Sequence, residues 1–212
     1  HGDDKPYCMW VSMPDPHHPF DCPEPWAGLH HPDDVDLPRQ PHKDLDIRPW
    51  WHRASLERPP TGGDEASRQF RSSLSRAPDQ SEKQLREMTA NYYGMISLID
   101  HSVGRILSAV RDRGQDDQTL IVYSTDHGDL LGDHGLFLKG PTPYEGLLKV
   151  GLMMRGPGIP AGALIEDPVS TLDLAATFSE IGGASLPEGV QSRSLMPVIE
   201  GKESREYALS EW

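Results

Sequence analysis

The tripeptide Asp-His-Gly occurs twice in one loop, 124-STDHGDLLGDHGLFLKG-140, as Asp126-His127-Gly128 and Asp133-His134-Gly135. A carboxylate oxygen and an imidazole nitrogen both suit a divalent ion. Two adjacent side chains supply only part of a sphere of about six donors, so the remaining ligands must come from elsewhere. Thirteen residues after Asp126 stands Lys139, followed by Gly140. An ammonium among glycines can hold an anionic oxygen as a point charge with three donors. Much earlier, 16-PHHP-19 presents two histidines, a residue type suited to proton transfer and anion binding near neutral pH. Together these residues predict a divalent ion, a Lys and a His acting on a tetrahedral anion.

The elements that must position them follow from the apolar spacing. The run 119-TLIVYST-125 is continuously apolar and predicts a strand covered on both faces. The Asp-His-Gly loop follows it directly, where open α/β sheets bind their ligands. Before it, Leu85, Met88, Tyr92, Met95, Ile96, Ile99, Val103, Ile106, Leu107 and Val110 recur at spacings of three and four. That period predicts one long amphipathic helix from about Ser81, its N-cap, to Gly114, its stop. YCMWVSM at 7–13 predicts a short buried strand, with the His pair at its end. Five prolines in 14-PDPHHPFDCPEPW-26 exclude helix or central strand there. Residues 27–80 are polar, irregular and lid-like, with 59–80 expected to be mobile. After the loop, 144–150 predicts a short helix, 150–154 a buried strand and RGPGIPAG a turn. Ser170 caps a helix with Asp173 in its first turn and Gly182 at its end. The alternation of strand and helix predicts an α/β domain with a mainly parallel sheet flanked by helices.

A net charge of −13 removes any electrostatic case for binding nucleic acid or anionic lipid, so an anionic ligand must be met locally. No apolar run reaches the length of a membrane span. Cys8 and Cys22 read as two thiols, although one disulfide is open to them. Both ends look like cuts through a fold, and the chain reads as part of a longer protein, incomplete at the N-terminus.

The segment 124-STDHGDLLGDHGLFLKGPTPYEGLLKVGLMMRGPGIPAG-162 resembles the C-terminal half of the catalytic domain of the type I sulfatases, in the alkaline phosphatase superfamily. VSMPDPHHPF, YYGMISLIDHSVGRIL, VSTLDLAATFSEIGG and RSLMPVIEG share the resemblance, so it covers most of the chain. It implies the alkaline-phosphatase-like fold over 1–201, with 27–80 as an insertion and 202–212 opening a smaller C-terminal subdomain. It implies that Asp126 and His127 complete a metal site, with Ca2+ expected and Mn2+ or Mg2+ as alternatives. It implies that Lys139 contacts the sulfate, and that His17, by its His-x-Pro context, contacts the sulfate and the leaving oxygen. Asp133 and His134 match a loop-shaping element of the family, expected to hydrogen-bond within the loop.

Two family features have no match here. The nucleophile, a formylglycine made within a Cys-x-Pro-x-Arg type motif, fits neither Cys8 nor Cys22, and the first Asp pair of the metal site is absent. Both lie upstream in the family. The expected activity is therefore that of a metal-dependent sulfuric ester hydrolase on a small-molecule or glycan sulfate, with this chain inactive by itself. The alternatives are a phosphonate monoester or phosphodiester hydrolase of the same superfamily, and a non-catalytic remnant that binds sulfated glycan. The sequence assigns neither a compartment nor an oligomeric state.

Overall fold

The computed structural model describes residues 5–38, 45–57, 63–67, 69, 80–140 and 142–211. The chain divides into two compact units, His1–Ser108 with Leu131–Leu138, and Ala109–Leu130 with Lys139–Trp212.

In the first unit the dominant element is a helix, Glu82–Asp112, which continues into the second. Its start is a reciprocal box: the Ser81 hydroxyl accepts from the Gln84 N–H at 3.3 Å, and the Gln84 side chain accepts from the Ser81 N–H at 2.9 Å. It stops at Gly114, whose φ of +66° suits glycine. Leu85, Thr89, Ala90, Gly94, Met95 and Ile99 form its buried stripe, at the expected helical spacing. Leu85 packs with Phe137, and Leu37, Met88 and Leu138 lie against the pair. Gly94 is needed for close approach. A Cβ there would stand 2.6 Å from the Trp26 carbonyl and 2.9 Å from the Cys22 sulfur.

The remainder of this unit departs from the sequence reading in two places. Residues 7–13 form no strand, and Met9, Trp10 and Val11 are exposed. An apolar run sets a preference, but a strand needs a partner, and none among the described residues supplies one. The described residues from 26 to 80 hold more regular structure than expected, including a helix Trp50–Glu57 (α1; the long helix is α2) and 3₁₀ turns at Trp26–Gly28, Pro32–Asp34 and Leu45–Ile47. The expected mobility of 59–80 falls mostly outside the described residues.

The second unit carries the only sheet among the described residues. Strands β1 (Ile121–Ser124) and β2 (Leu152–Arg155) pair antiparallel, Ile121 opposite Arg155 and Ser124 opposite Leu152. The mainly parallel sheet is therefore not what these residues form. Parallel neighbours need a long crossover, usually a helix. Between β1 and β2 the described helices are only a 3₁₀ turn, Asp133–Gly135, and the four-residue α3, Glu145–Leu148. Neither strand is fully covered: β1 is half-buried throughout, and Met153 of β2 is exposed.

Helix α4 (Asp173–Ile181) is fastened at its first residue. The Asp173 carboxylate accepts from the Ser170 and Arg193 N–H groups and from Arg205 Nη1 at 2.6 Å. Both ion-pair side chains are buried, 2% exposed for Arg205 and 9% for Asp173. Arg205 also donates to Glu203 and to the Ser194 carbonyl, so its charge is compensated on several sides. A last helix, α5, spans Met196–Ile199.

Candidate functional site

β1 ends at Ser124, and two residues later the chain delivers Asp126 and His127. Asp126 Oδ1 accepts from the backbone N–H of His127 at 2.9 Å. His127 Nδ1 lies 2.8 Å from the Gly128 carbonyl oxygen. A carbonyl can only accept, so Nδ1 carries the hydrogen and the neutral ring leaves its lone pair on Nε2. Lys139 Nζ donates to that lone pair at 2.6 Å. Asp126 Oδ2 stands 3.5 Å from the same nitrogen, with its side chain 86% exposed against 34% for His127. Three of the four expected site residues thus meet at one point of the second unit.

The backbone beneath them depends on a residue to which the sequence reading gave no role. Gly128 donates its N–H to the Leu147 carbonyl at 3.0 Å. A Cβ on Gly128 would fall 1.9 Å from the Gly146 carbonyl oxygen. Only glycine lets the loop lie against α3, and that seat fixes the carbonyl that orients His127. The third letter of the motif was the available signal.

Asp126 and His127 fit one edge of a metal site. Two ligands at right angles, each about 2.4 Å from a hard cation, lie about 3.4 Å apart, close to the 3.5 Å between Oδ2 and Nε2. The His Nδ1–carbonyl bond is also the usual outer support of a metal-bound imidazole. No group of three or more His, Cys, Asp or Glu able to hold an ion occurs among the described residues.

The second Asp-His-Gly is built differently and belongs to the first unit. Asp133 Oδ1 accepts from the His134 N–H at 3.0 Å, as the loop-shaping reading expected. Here His134 itself turns left-handed, with φ +54°, between Gly132 at +92° and Gly135 at +73°. The Gly132 N–H donates to the Leu136 carbonyl at 2.8 Å and closes the turn.

His17 also lies in the first unit, exposed on the surface. Its Nδ1 donates to the His18 carbonyl at 2.8 Å, and the two rings stack at 4.2 Å. Other histidines have local partners: His30 Nε2 meets the Ser97 hydroxyl at 2.9 Å, His31 accepts from the Asp33 N–H, and His101 packs on Trp26. His52 is buried, and His42 lies outside the described residues. Both cysteines are free. Burial, reinforced by Asp21, Asp15 and Glu24, pushes the Cys22 thiol up, away from a nucleophile's range.

Comparison with known proteins gives the family. The sulfatase family profile matches residues 1–184, and the chain belongs to that family, within the alkaline phosphatase superfamily. The arylsulfatase of Clostridium perfringens is 29% identical over 214 residues, covering 96% of this chain and 40% of that protein. Arylsulfatase K of Xenopus laevis is 35% identical over 130 residues, 61% of this chain and 24% of that protein. The solved phosphonate monoester hydrolase of Agrobacterium radiobacter superposes with a TM-score of 0.80 at 28% identity, over 98% of this chain and 41% of that one. The fold is therefore alkaline-phosphatase-like, and the chain spans less than half the length of these relatives. No helix among the described residues is long and apolar enough to cross a membrane.

Proposed function

We propose that this chain carries one side of the active centre of a metal-dependent sulfatase acting on a small-molecule or glycan sulfate ester. The observation that carries the reading is the meeting of Asp126, His127 and Lys139, with Nε2 of His127 3.5 Å from a carboxylate oxygen and 2.6 Å from an ammonium. Asp126 and His127 hold a divalent ion, Ca2+ by preference, with Mn2+ or Mg2+ admitted by the imidazole. When bound, such an ion neutralises charge on the ester's non-bridging oxygens. Lys139 stabilises the charge that develops on the transferring group. His17 gives a proton to the departing alcohol oxygen, and the Nδ1 bond to the His18 carbonyl leaves Nε2 for that task. The nucleophile, a formylglycine by family resemblance, and the first Asp pair belong in this reading to further sequence of a longer polypeptide. Residues 1–201 then form the C-terminal part of the catalytic domain, with 27–80 as its insertion and 202–212 leading into a smaller subdomain.

A second reading has a specific support. The TM-score of 0.80 is to a phosphonate monoester hydrolase, and such an enzyme needs the same metal, Lys and His. The test is expression of the longer open reading frame, followed by turnover of aryl sulfate and aryl phosphonate monoesters with Ca2+ and with Mn2+. A sulfatase favours the sulfate by orders of magnitude. Preference for the phosphonate transfers the proposal to the second reading, and turnover of neither defeats both.

A further inference from the structure

The ring of His127 is only as well placed as the Gly128 carbonyl, which accepts its Nδ1 hydrogen at 2.8 Å. That carbonyl is held from one side by the backbone, through the Gly128 N–H bond to the Leu147 carbonyl at 3.0 Å. The other hold is a side chain. From Ile121 through Leu130, strand and loop together, Leu130 alone is buried, at 4% exposure. It lies on α3: its Cδ2 is 3.7 Å from where a Cβ on Gly146 would stand, and the Asp129 carbonyl oxygen is at the same distance. Leu147, the next residue of α3, is buried too. Residues 128–130 therefore run along the Gly146–Leu147 peptide, and all of them belong to the second unit. One hydrogen bond between half-buried groups contributes little by itself. A buried leucine two residues further on supplies the apolar contact that keeps the carbonyl where the ring needs it.

We infer that Leu130 is a positioning residue for His127: its burial on α3 keeps the Gly128 carbonyl at Nδ1, so that the ring carries its hydrogen there and presents Nε2. The use made of that nitrogen rests on the sulfatase reading above. The placement itself rests on the packing of Leu130 and the bond from Nδ1, both within this chain. Leu130 touches no reacting group; it acts through the backbone two residues before it, where a small displacement of the imidazole is costly to a reaction.

The test has two readouts. In the 212-residue chain with 15N-labelled histidine, the ring nitrogen shifts of His127 report which nitrogen carries the hydrogen. They are read at about pH 8.5, where histidine is neutral, and in a Lys139→Met background, which removes the ammonium's own bias toward the same tautomer. Leu130→Ala is expected to move both ring shifts toward the average of the two tautomers. Leu130→Met should keep the parent values, because it restores the buried volume. Leu195→Ala, equally buried in the same unit at 2% exposure, should leave them unchanged. Where the alanine variant does not fold, Leu130→Val takes its place. In the longer polypeptide, Leu130→Ala should lower kcat for the preferred ester about tenfold with KM little changed, and cost nothing further in a His127→Ala background. If folded Leu130→Ala keeps the parent tautomer, or Leu195→Ala shifts it as much, the role of Leu130 is overturned and the sulfatase reading stands. If the tautomer responds as expected but His127→Ala costs the longer polypeptide no turnover, Leu130 still positions the ring and the sulfatase reading falls.

Discussion

The two Asp-His-Gly copies share a sequence and one hydrogen bond, and almost nothing else. In each, the aspartate Oδ1 accepts from the following histidine's N–H, at 2.9 Å in the first copy and 3.0 Å in the second. In the first, the glycine is required by what lies next to it, a carbonyl 1.9 Å from where a Cβ would be. In the second, it is required by its own backbone, at φ +73°. The first copy turns its histidine's Nε2 toward a carboxylate and an ammonium, whereas the second places its histidine at φ +54° to bend the chain. A tripeptide is therefore not a site. The strand that precedes it and the helix it rests on decide whether it presents a ligand or makes a turn.

The widest separation between the copies is expected in catalysis. In the longer polypeptide that the proposed sulfatase reading calls for, Asp126→Ala or His127→Ala should lower kcat/KM for the preferred ester about a thousandfold or more, the loss of several kcal/mol of charge stabilisation. Asp133→Ala or His134→Ala should cost less than about tenfold, through loop shape alone. Equal losses in both copies would remove the distinction drawn here.

The glycines come next, read by denaturant unfolding of the chain. Gly128→Ala must displace the α3 carbonyl and should cost about 3 kcal/mol. Gly135→Ala meets only the left-handed penalty, about 1–2 kcal/mol. Gly146→Ala is the control: its Cβ would meet nothing nearer than 3.7 Å, and alanine favours helix, so stability should hold or rise by about 0.5 kcal/mol. The smallest effect tests what the copies share. Asp126→Asn and Asp133→Asn keep an acceptor oxygen for the next N–H, and each should change stability by less than about 0.5 kcal/mol.

Much of this was readable beforehand where the cause is local. The stripe of α2, its Ser81 start and its Gly114 stop lie in neighbouring residues. So do the placement of Asp126 and His127 just past β1 and the loop hydrogen bond within the second copy. What failed or went unseen depends on partners distant in sequence. YCMWVSM has the composition of a strand and no ladder among the described residues. The direction of β2 was set by how the chain returns, which apolar spacing does not encode. The seat of Gly128 on Gly146 and the cap of Lys139 on His127 join residues twelve or more positions apart. The left-handed Leu131 and Leu138, at φ +44° and +61°, carry no signal in their residue type at all.

The buried pair of Asp173 and Arg205 bears on how the chain can be shortened. Lys202 is exposed and open to trypsin, while the Arg205 side chain is sheltered at 2% exposure. A nick after Lys202 followed by loss of the residues beyond it would remove the guanidinium and strand the carboxylate at the head of α4. Leaving one partner of such a pair alone in the interior costs about 3–5 kcal/mol. Removing the residues after Lys202 would thus loosen a helix that begins some thirty residues upstream of Arg205.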